Sequence, residues 1–229
     1  MIIHGLQKMT LLDYPGRVAC TVFLGGCDMR CPFCHNAELN VASAPAALGE
    51  AELLSFLATR RGLLDGVAVT GGEPLLRGDL ALLLGKIRAM GFEVKLDTNG
   101  THPESLRALI DEGLVQYVAM DIKNSPAHYA ATVGVPGFDL SPVRRSVELL
   151  MSSPCDYEFR TTVVREFHDE ESFHQIGAWI QGAKRYFLQP FTDRETVPDR
   201  TLHAPQPEDL KRYEELLRAY VPSVRVRGE

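Results

Sequence analysis

The chain has 229 residues, 45% of them hydrophobic and 24% charged, which is the composition of a globular protein with a substantial core. Lys and Arg number 24 against 30 Asp and Glu, a net charge of −6, so generic binding to nucleic acid or to an anionic membrane is not expected. No apolar run approaches the ~20 residues of a membrane helix, and "MIIHGLQKMTLLDYPG" lacks the pattern of an export signal. The expected compartment is therefore the cytoplasm, where five cysteines read as ligands or buried thiols rather than disulfides.

In chain order, short β-branched runs alternate with amphipathic helical stretches. "VACTVFL" (18–24) reads as the first strand and leads into a cysteine loop. "GEAELLSFLATRRG" is a helix, "GVAVT" (66–70) the second strand, and "GDLALLLGKIRAMG" a helix closed by Gly91. "EVKLDTNG" is a third strand and turn; "HPESLRALIDEG" is a helix with Pro103 near its start and Gly113 at its end. "VQYVAMDIK" (115–123) is a fourth strand, followed by a helix around 140–152. "CDYEFRTTVV" is a fifth strand, "ESFHQIGAWIQG" a helix, "RYFLQP" (185–190) a sixth strand, and "PEDLKRYEELLRAY" the last helix.

Six strands alternating with six helices imply a parallel α/β sheet. A complete eight-fold barrel needs about 250 residues, so an incomplete, open (β/α)6 TIM-like barrel is expected, with a doubly wound open sheet as the other reading. The whole chain, 1–229, reads as a single domain with an N-terminal lead-in (1–17) and a C-terminal helical tail (205–229). The motifs fall at the carboxyl ends of the strands: the cysteine loop, "GGEP", "DTNG" and "MDIK". That is the edge where parallel α/β folds bind ligands.

The loop "GGCDMRCPFCHN" sets Cys27, Cys31 and Cys34 in a C-x-x-x-C-x-x-C spacing. Thiolates suit iron–sulfur clusters, zinc and copper(I). Three thiolates on a [4Fe–4S] cluster leave one iron with an exchangeable position. A zinc site would need a fourth ligand, for which Cys20 or His35 are candidates, but structural zinc sites pair their ligands as C-x-x-C knuckles.

"CDMRCPFC", with Phe33 before the last cysteine, resembles the cluster loop of radical S-adenosylmethionine (SAM) enzymes. In that family SAM chelates the unique iron, and reductive cleavage yields a 5′-deoxyadenosyl radical. "TGGEPLL" resembles the family's GGEP motif, implying that the backbone at Gly72 approaches the SAM amino group, with Gly71 beside it among the implied cofactor contacts. Glu73 would fix the turn and Pro74 would start the helix. "DTNG" and "MDIK" resemble segments of glycyl radical enzyme activating enzymes. By that resemblance a monovalent cation would lie among Asp97, Thr98, Ala119 and Asp121, offsetting the repulsion between two carboxylates. Lys123 would add positive charge near SAM, and Arg160 would grip the SAM carboxylate. His35, Asn36 and Asn99 complete the implied cofactor contacts.

The lead-in resembles the activases' "DGPG.R" except that Tyr14 replaces a glycine. "LQPFT" puts Thr192 where those enzymes often carry a histidine, with Gln189 as a substitute. Cys20 and Cys155 read as small buried hydrophobes on strands, and His168, His174 and His203 as surface or capping residues. The resemblance is nearest to activases of anaerobic ribonucleoside-triphosphate reductase. It implies a glycyl radical enzyme as partner and a flavodoxin or ferredoxin as electron donor. A deazapurine synthase-like enzyme acting on a small molecule is the alternative within the class. A non-catalytic metal-binding module is the alternative outside it.

Overall fold

The computed structural model describes residues 1–40 and 45–227. It groups the chain into two compact units. The first comprises Met1–Asp28, Glu38–Thr98 and His102–Val118; the second comprises Met29–Ala37, Asn99–Thr101 and Ala119–Glu229.

The first unit opens with β1 (Ile2–Ile3) and β2 (Gly5–Thr10), followed by β3 (Ala19–Leu24). Then come β4 (Leu48–Gly49), α1 (Glu50–Ala58), β5 (Gly66–Gly71), α2 (Leu80–Ala89), β6 (Glu93–Thr98) and α3 (Pro103–Asp111). Its main sheet runs β2-β3-β5-β6. β3, β5 and β6 are parallel, and β2 is an antiparallel edge. The strands bury Val22, Leu24, Val67, Val69, Val94 and Leu96 together with Leu53 and Leu57 of α1 and Leu83 and Ile87 of α2. Such two-sided burial explains why these strands read as continuous apolar runs. Helix ends follow local chemistry: Glu52 accepts the Gly49 N–H at the start of α1, and Gly91 follows α2 with φ +94°.

β7 (Tyr117–Asp121) begins in the first unit and ends in the second. The second unit continues with α4 (Tyr129–Val133), α5 (Ser141–Ser152), β8 (Asp156–Val163), α6 (Glu170–Trp179), β9 (Tyr186–Pro190), α7 (Pro207–Leu217) and β10 (Val224–Val226). β8, β9 and β10 are parallel neighbours. α6 starts on Asp169, which accepts the Ser172 N–H at 2.8 Å, and α7 packs on α6 through Phe173 and Tyr213.

Several expectations change. Strands β1 and β2 lie within the lead-in 1–17, before the first strand the sequence marks. The tail 205–229 is not all helix, because after α7 the chain turns and pairs β10 beside β9; Gly228 and Glu229 of that tail lie outside the described residues. α4, five residues long, was too short to show a helical period. Among the described residues no helix is long and apolar enough to cross a membrane.

Candidate active site

In the first unit the end of β3 and the end of β5 are locked together by backbone. Gly72 N–H donates to Leu24 O at 2.9 Å and Glu73 N–H to Gly26 O at 2.7 Å. Neither glycine of "GGEP" tolerates a side chain. A Cβ on Gly71, whose φ is +129°, would lie 2.1 Å from Leu24 O, and one on Gly72 would lie 2.0 Å from Gly26 O. The two glycines therefore bring the β5 turn onto the backbone that leads into Cys27. Glu73 is fully buried and fixes the turn, accepting Leu75 N–H at 3.0 Å and the Thr98 hydroxyl at 2.9 Å. Pro74 starts a single 3₁₀ turn, Pro74–Leu76, rather than α2 itself. His102, just before α3, places Nε2 3.4 Å from the carboxylate of Asp28 in the cysteine loop.

On β6 the Lys95 ammonium contacts Asp97. Lys95 is 2% exposed, and neither its burial nor its pairing is part of the motif reading. Its signal in the sequence is a lysine inside the apolar run "EVKL". Tyr14, the departure from the activase lead-in, is buried beneath the amino ends of β5 and β6. Its hydroxyl lies 3.3 Å from Glu93 and its ring packs on Tyr117 and against Gly66. The replacement fills a packing position away from the strands' carboxyl ends.

The second unit holds Cys31 and Cys34, joined by a turn in which Cys34 N–H donates to Cys31 O at 3.1 Å. Arg30 N–H donates to Val133 O at 2.8 Å, and a Cβ on Gly134 would collide with Arg30 O at 2.3 Å. The C-terminus of α4 thus seats the cysteine loop. Phe33 is buried and packs on Phe167 with centroids 5.9 Å apart. His35 stacks on Phe191 with a 9° interplanar angle and donates from Nε2 to Thr192 O at 2.7 Å. Burial pulls the His35 pKa below its ordinary value. Thr192 therefore meets the loop through its backbone carbonyl, which side-chain comparison could not reveal. Asn36 is half-buried, and Ala119 is fully buried in β7. Asn99 accepts both the N–H and the hydroxyl of Thr101, a local Asx turn, while Gly100 takes φ +80° and its carbonyl accepts the Ser146 hydroxyl at 2.7 Å. Gln189 lies on β9 in register with Thr162.

At the carboxyl end of β7, Asp121 receives two cations: Lys123 Nζ at 2.8 Å and Arg160 Nε at 3.0 Å. Burial would raise the Asp121 carboxyl, but Lys123 and Arg160 outweigh it and hold the pKa at about 2. Lys123 is pushed up, its burial outweighed by Asp121 and the Cys31 sulfur. The Glu158 carboxylate, fully buried, takes a bidentate pair from Arg227 at 2.8 and 3.0 Å.

Two expectations are corrected here. His168 is not a surface residue: it is buried against Phe173, with Nε2 donating to Lys123 O at 2.9 Å and Nδ1 accepting Val164 N–H at 3.1 Å. Cys155 lies just before β8 and is half-buried, whereas Cys20 is fully buried on β3, where burial pushes its thiol up to about 12. None of the five cysteines is in a disulfide, and among the described residues no three His, Cys, Asp or Glu side chains gather closely enough to hold a single metal ion.

The family model of the radical SAM superfamily matches residues 21–175, and the chain belongs to that superfamily of enzymes. A Methanocaldococcus jannaschii protein named as a glycyl-radical enzyme activating enzyme is 28% identical over 234 aligned residues, covering 99% of this chain and 95% of its own. A 7-carboxy-7-deazaguanine synthase of Hyperthermus butylicus is 37% identical over 188 residues, covering 78% of this chain and 71% of its own. Among solved structures, Streptococcus suis SuiB bound to the precursor peptide SuiA superposes with a TM-score of 0.71 at 13% identity, over 91% of this chain and 48% of that one, a likeness of fold. The fold class is accordingly the family's α/β, incomplete TIM-like barrel. Membership implies a [4Fe–4S] cluster and SAM. The residues present suit them: three cysteines outside any disulfide in one loop, a GGEP turn packed directly on the backbone that leads into that loop, and two cations on one carboxylate at Asp121.

Proposed function

We propose that this chain is an activase that uses SAM and a [4Fe–4S] cluster to draw a hydrogen atom from a glycine Cα in a partner glycyl radical enzyme, an anaerobic ribonucleotide reductase. The observation that carries the reading is the end-to-end match to a relative named for that activity, 99% of this chain against 95% of the other. Cys27, Cys31 and Cys34 would hold three irons, leaving the fourth for the SAM amino and carboxylate groups. When bound, the cluster and SAM supply the 5′-deoxyadenosyl radical; the protein's own part is to position and shield it.

Lys123 and Arg160 share one carboxylate, so these three groups carry a net positive charge, suited to an anionic amino-acid carboxylate. Gly72 has no side chain, so the turn can lie directly on the backbone that leads into Cys27. His168 fixes the Lys123 carbonyl and so the direction in which Lys123 leaves the chain. Electrons would come from a flavodoxin or ferredoxin, in the reducing cytoplasm that keeps thiols out of disulfides.

The test is anaerobic reconstitution with iron and sulfide, reduction with SAM present, and assay for 5′-deoxyadenosine, followed by electron paramagnetic resonance with a candidate reductase. A glycyl radical on the reductase is expected. Cys27→Ala, Cys31→Ala or Cys34→Ala should each lose the cluster spectrum and SAM cleavage together. A protein that holds only zinc under these conditions would end the reading. The 37% identity to a 7-carboxy-7-deazaguanine synthase favours a second reading, chemistry on a small molecule. Formation of 7-carboxy-7-deazaguanine with no partner protein present would establish that one instead.

A further inference from the structure

Lys95 lies in the body of β6, in register with Ala68 of β5, which is itself in register with Thr21 of β3. A strand residue with buried neighbours on both sides is ordinarily aliphatic, and Val94 and Leu96 on either side of Lys95 are. The ammonium is instead carried almost wholly out of water to reach Asp97, two residues on and on the same face of the strand. Withdrawing an ammonium from water costs several kcal/mol, and a well-packed apolar pair is often as stable or more so. A residue kept there against that cost has a use for its charge.

Thr98, next to Asp97 but on the opposite face of β6, donates to the buried Glu73 carboxylate of the "GGEP" turn. An ammonium group and a potassium ion have the same charge and nearly the same size, and carboxylate oxygens accept either. Asp121, the other carboxylate expected to share a mobile cation, likewise has charged partners from the chain itself in Lys123 and Arg160.

We propose that Lys95 is a positioning residue that takes the place of a monovalent cation: its ammonium neutralises and orients Asp97 for SAM, so that this chain binds SAM without potassium or sodium. The proposal rests on the SAM-binding reading of the site. It adds that the electrostatic partner of Asp97 is built into β6.

The test is equilibrium dialysis of SAM against the anaerobically reconstituted holoprotein, in potassium chloride and in choline chloride at equal ionic strength. Wild-type affinity should differ by less than about twofold between the salts, a coupling near zero. Lys95→Met should bind SAM about tenfold or more weakly in choline and regain most of that in potassium, an effect of the usual size for one coupled site. The melting temperature of Lys95→Met should rise with potassium while that of the wild type does not, a readout independent of catalysis. Lys95→Gln should behave as Lys95→Met and serves if the latter fails to fold. Wild-type SAM binding that depends on potassium overturns the proposal. So does a variant that binds SAM normally in choline, or one that no monovalent salt rescues. A wild-type holoprotein that binds SAM in neither salt removes the reading of the site itself, a different result from any of these.

Discussion

Two strand ends in this molecule carry the same pair of residues in opposite order. On β6 the lysine precedes the aspartate by two, Lys95 and Asp97; at the end of β7 it follows by two, Asp121 and Lys123. The order changes the outcome. Lys95 lies within the strand, is sealed from water, and forms a neutral pair with Asp97. Lys123 lies past the strand end and is 16% exposed; its carboxylate partner is 26% exposed and is shared with Arg160. One end pairs a buried lysine with a partly exposed carboxylate, and the other sets two cations against one carboxylate. Within β6 a spacing of two puts lysine and aspartate on the same face, whereas Lys123 reaches back to Asp121 from beyond the strand. Position along the strand decides how far the ammonium is withdrawn from water.

Breaking the Lys95 and Asp97 pair should have the larger effect. Asp97→Ala leaves the Lys95 ammonium without this partner in a dry position and is expected to cost about 3–5 kcal/mol. The double variant Lys95→Met with Asp97→Ala should recover most of it, because removing both charges removes the desolvation cost with the pairing. Urea midpoints of the four proteins of this cycle measure the coupling; a double variant as unstable as Asp97→Ala alone would show that the pair does not act as a unit.

Asp121→Ala should cost less, about 2–3 kcal/mol, because water reaches this corner and screens the two cations left behind. It should weaken SAM binding while leaving the cluster absorbance intact, since Asp121 orients Lys123 and Arg160 and carries no thiolate. Unchanged SAM affinity would place ligand recognition elsewhere.

The difference between the two ends also marks what sequence could disclose. β3, β5, β6, β7, β8 and β9 were legible because their apolar runs are punctuated by glycine, proline and asparagine, and six helices were legible from period and caps. The edge strand β2 was not, since "GLQKMT" is largely exposed, and β10 is three residues embedded in a polar tail. Of the candidate site residues, Cys27, Cys31, Cys34, Gly72, Asp121 and Arg160 stood out in the sequence through motif or through a charge in an apolar run. Lys95 carried the same kind of signal as Arg160 and went unused because no motif includes it. His168 and Phe167 were illegible, because their importance lies in contacts to Lys123 and Phe33 that only folding creates.

His168 gives the Asp121 corner a pH dependence. Burial lowers its pKa below 6.5, against the opposing influence of the Lys123 and Val164 hydrogen bonds and of Asp169, and with a further lowering by His128. The native state therefore keeps His168 neutral where the unfolded chain binds a proton. Stability should be full above about pH 6.5 and decline as pH falls from there toward the lowered native value, by about 1.4 kcal/mol for each pH unit that separates the unfolded and native values. His35, lowered as well, adds to the same slope. His168→Gln should flatten the difference between urea midpoints at pH 8 and pH 5.5. An equally steep loss in that variant would assign the slope to other groups.

The smallest effect is expected at Cys155, the thiol farthest in character from the three loop cysteines. It precedes β8, is half-buried, and touches its neighbour's carbonyl, Asp156 O, at 3.5 Å. Burial and the adjacent Asp156 push its thiol up to about 11, so at neutral pH it is protonated and a poor metal ligand. Cys155→Ala should cost at most about 1 kcal/mol and leave iron content, cluster absorbance and SAM affinity unchanged. If iron content falls in this variant, a fourth thiolate belongs to the cluster, and the open iron on which SAM would dock is not open.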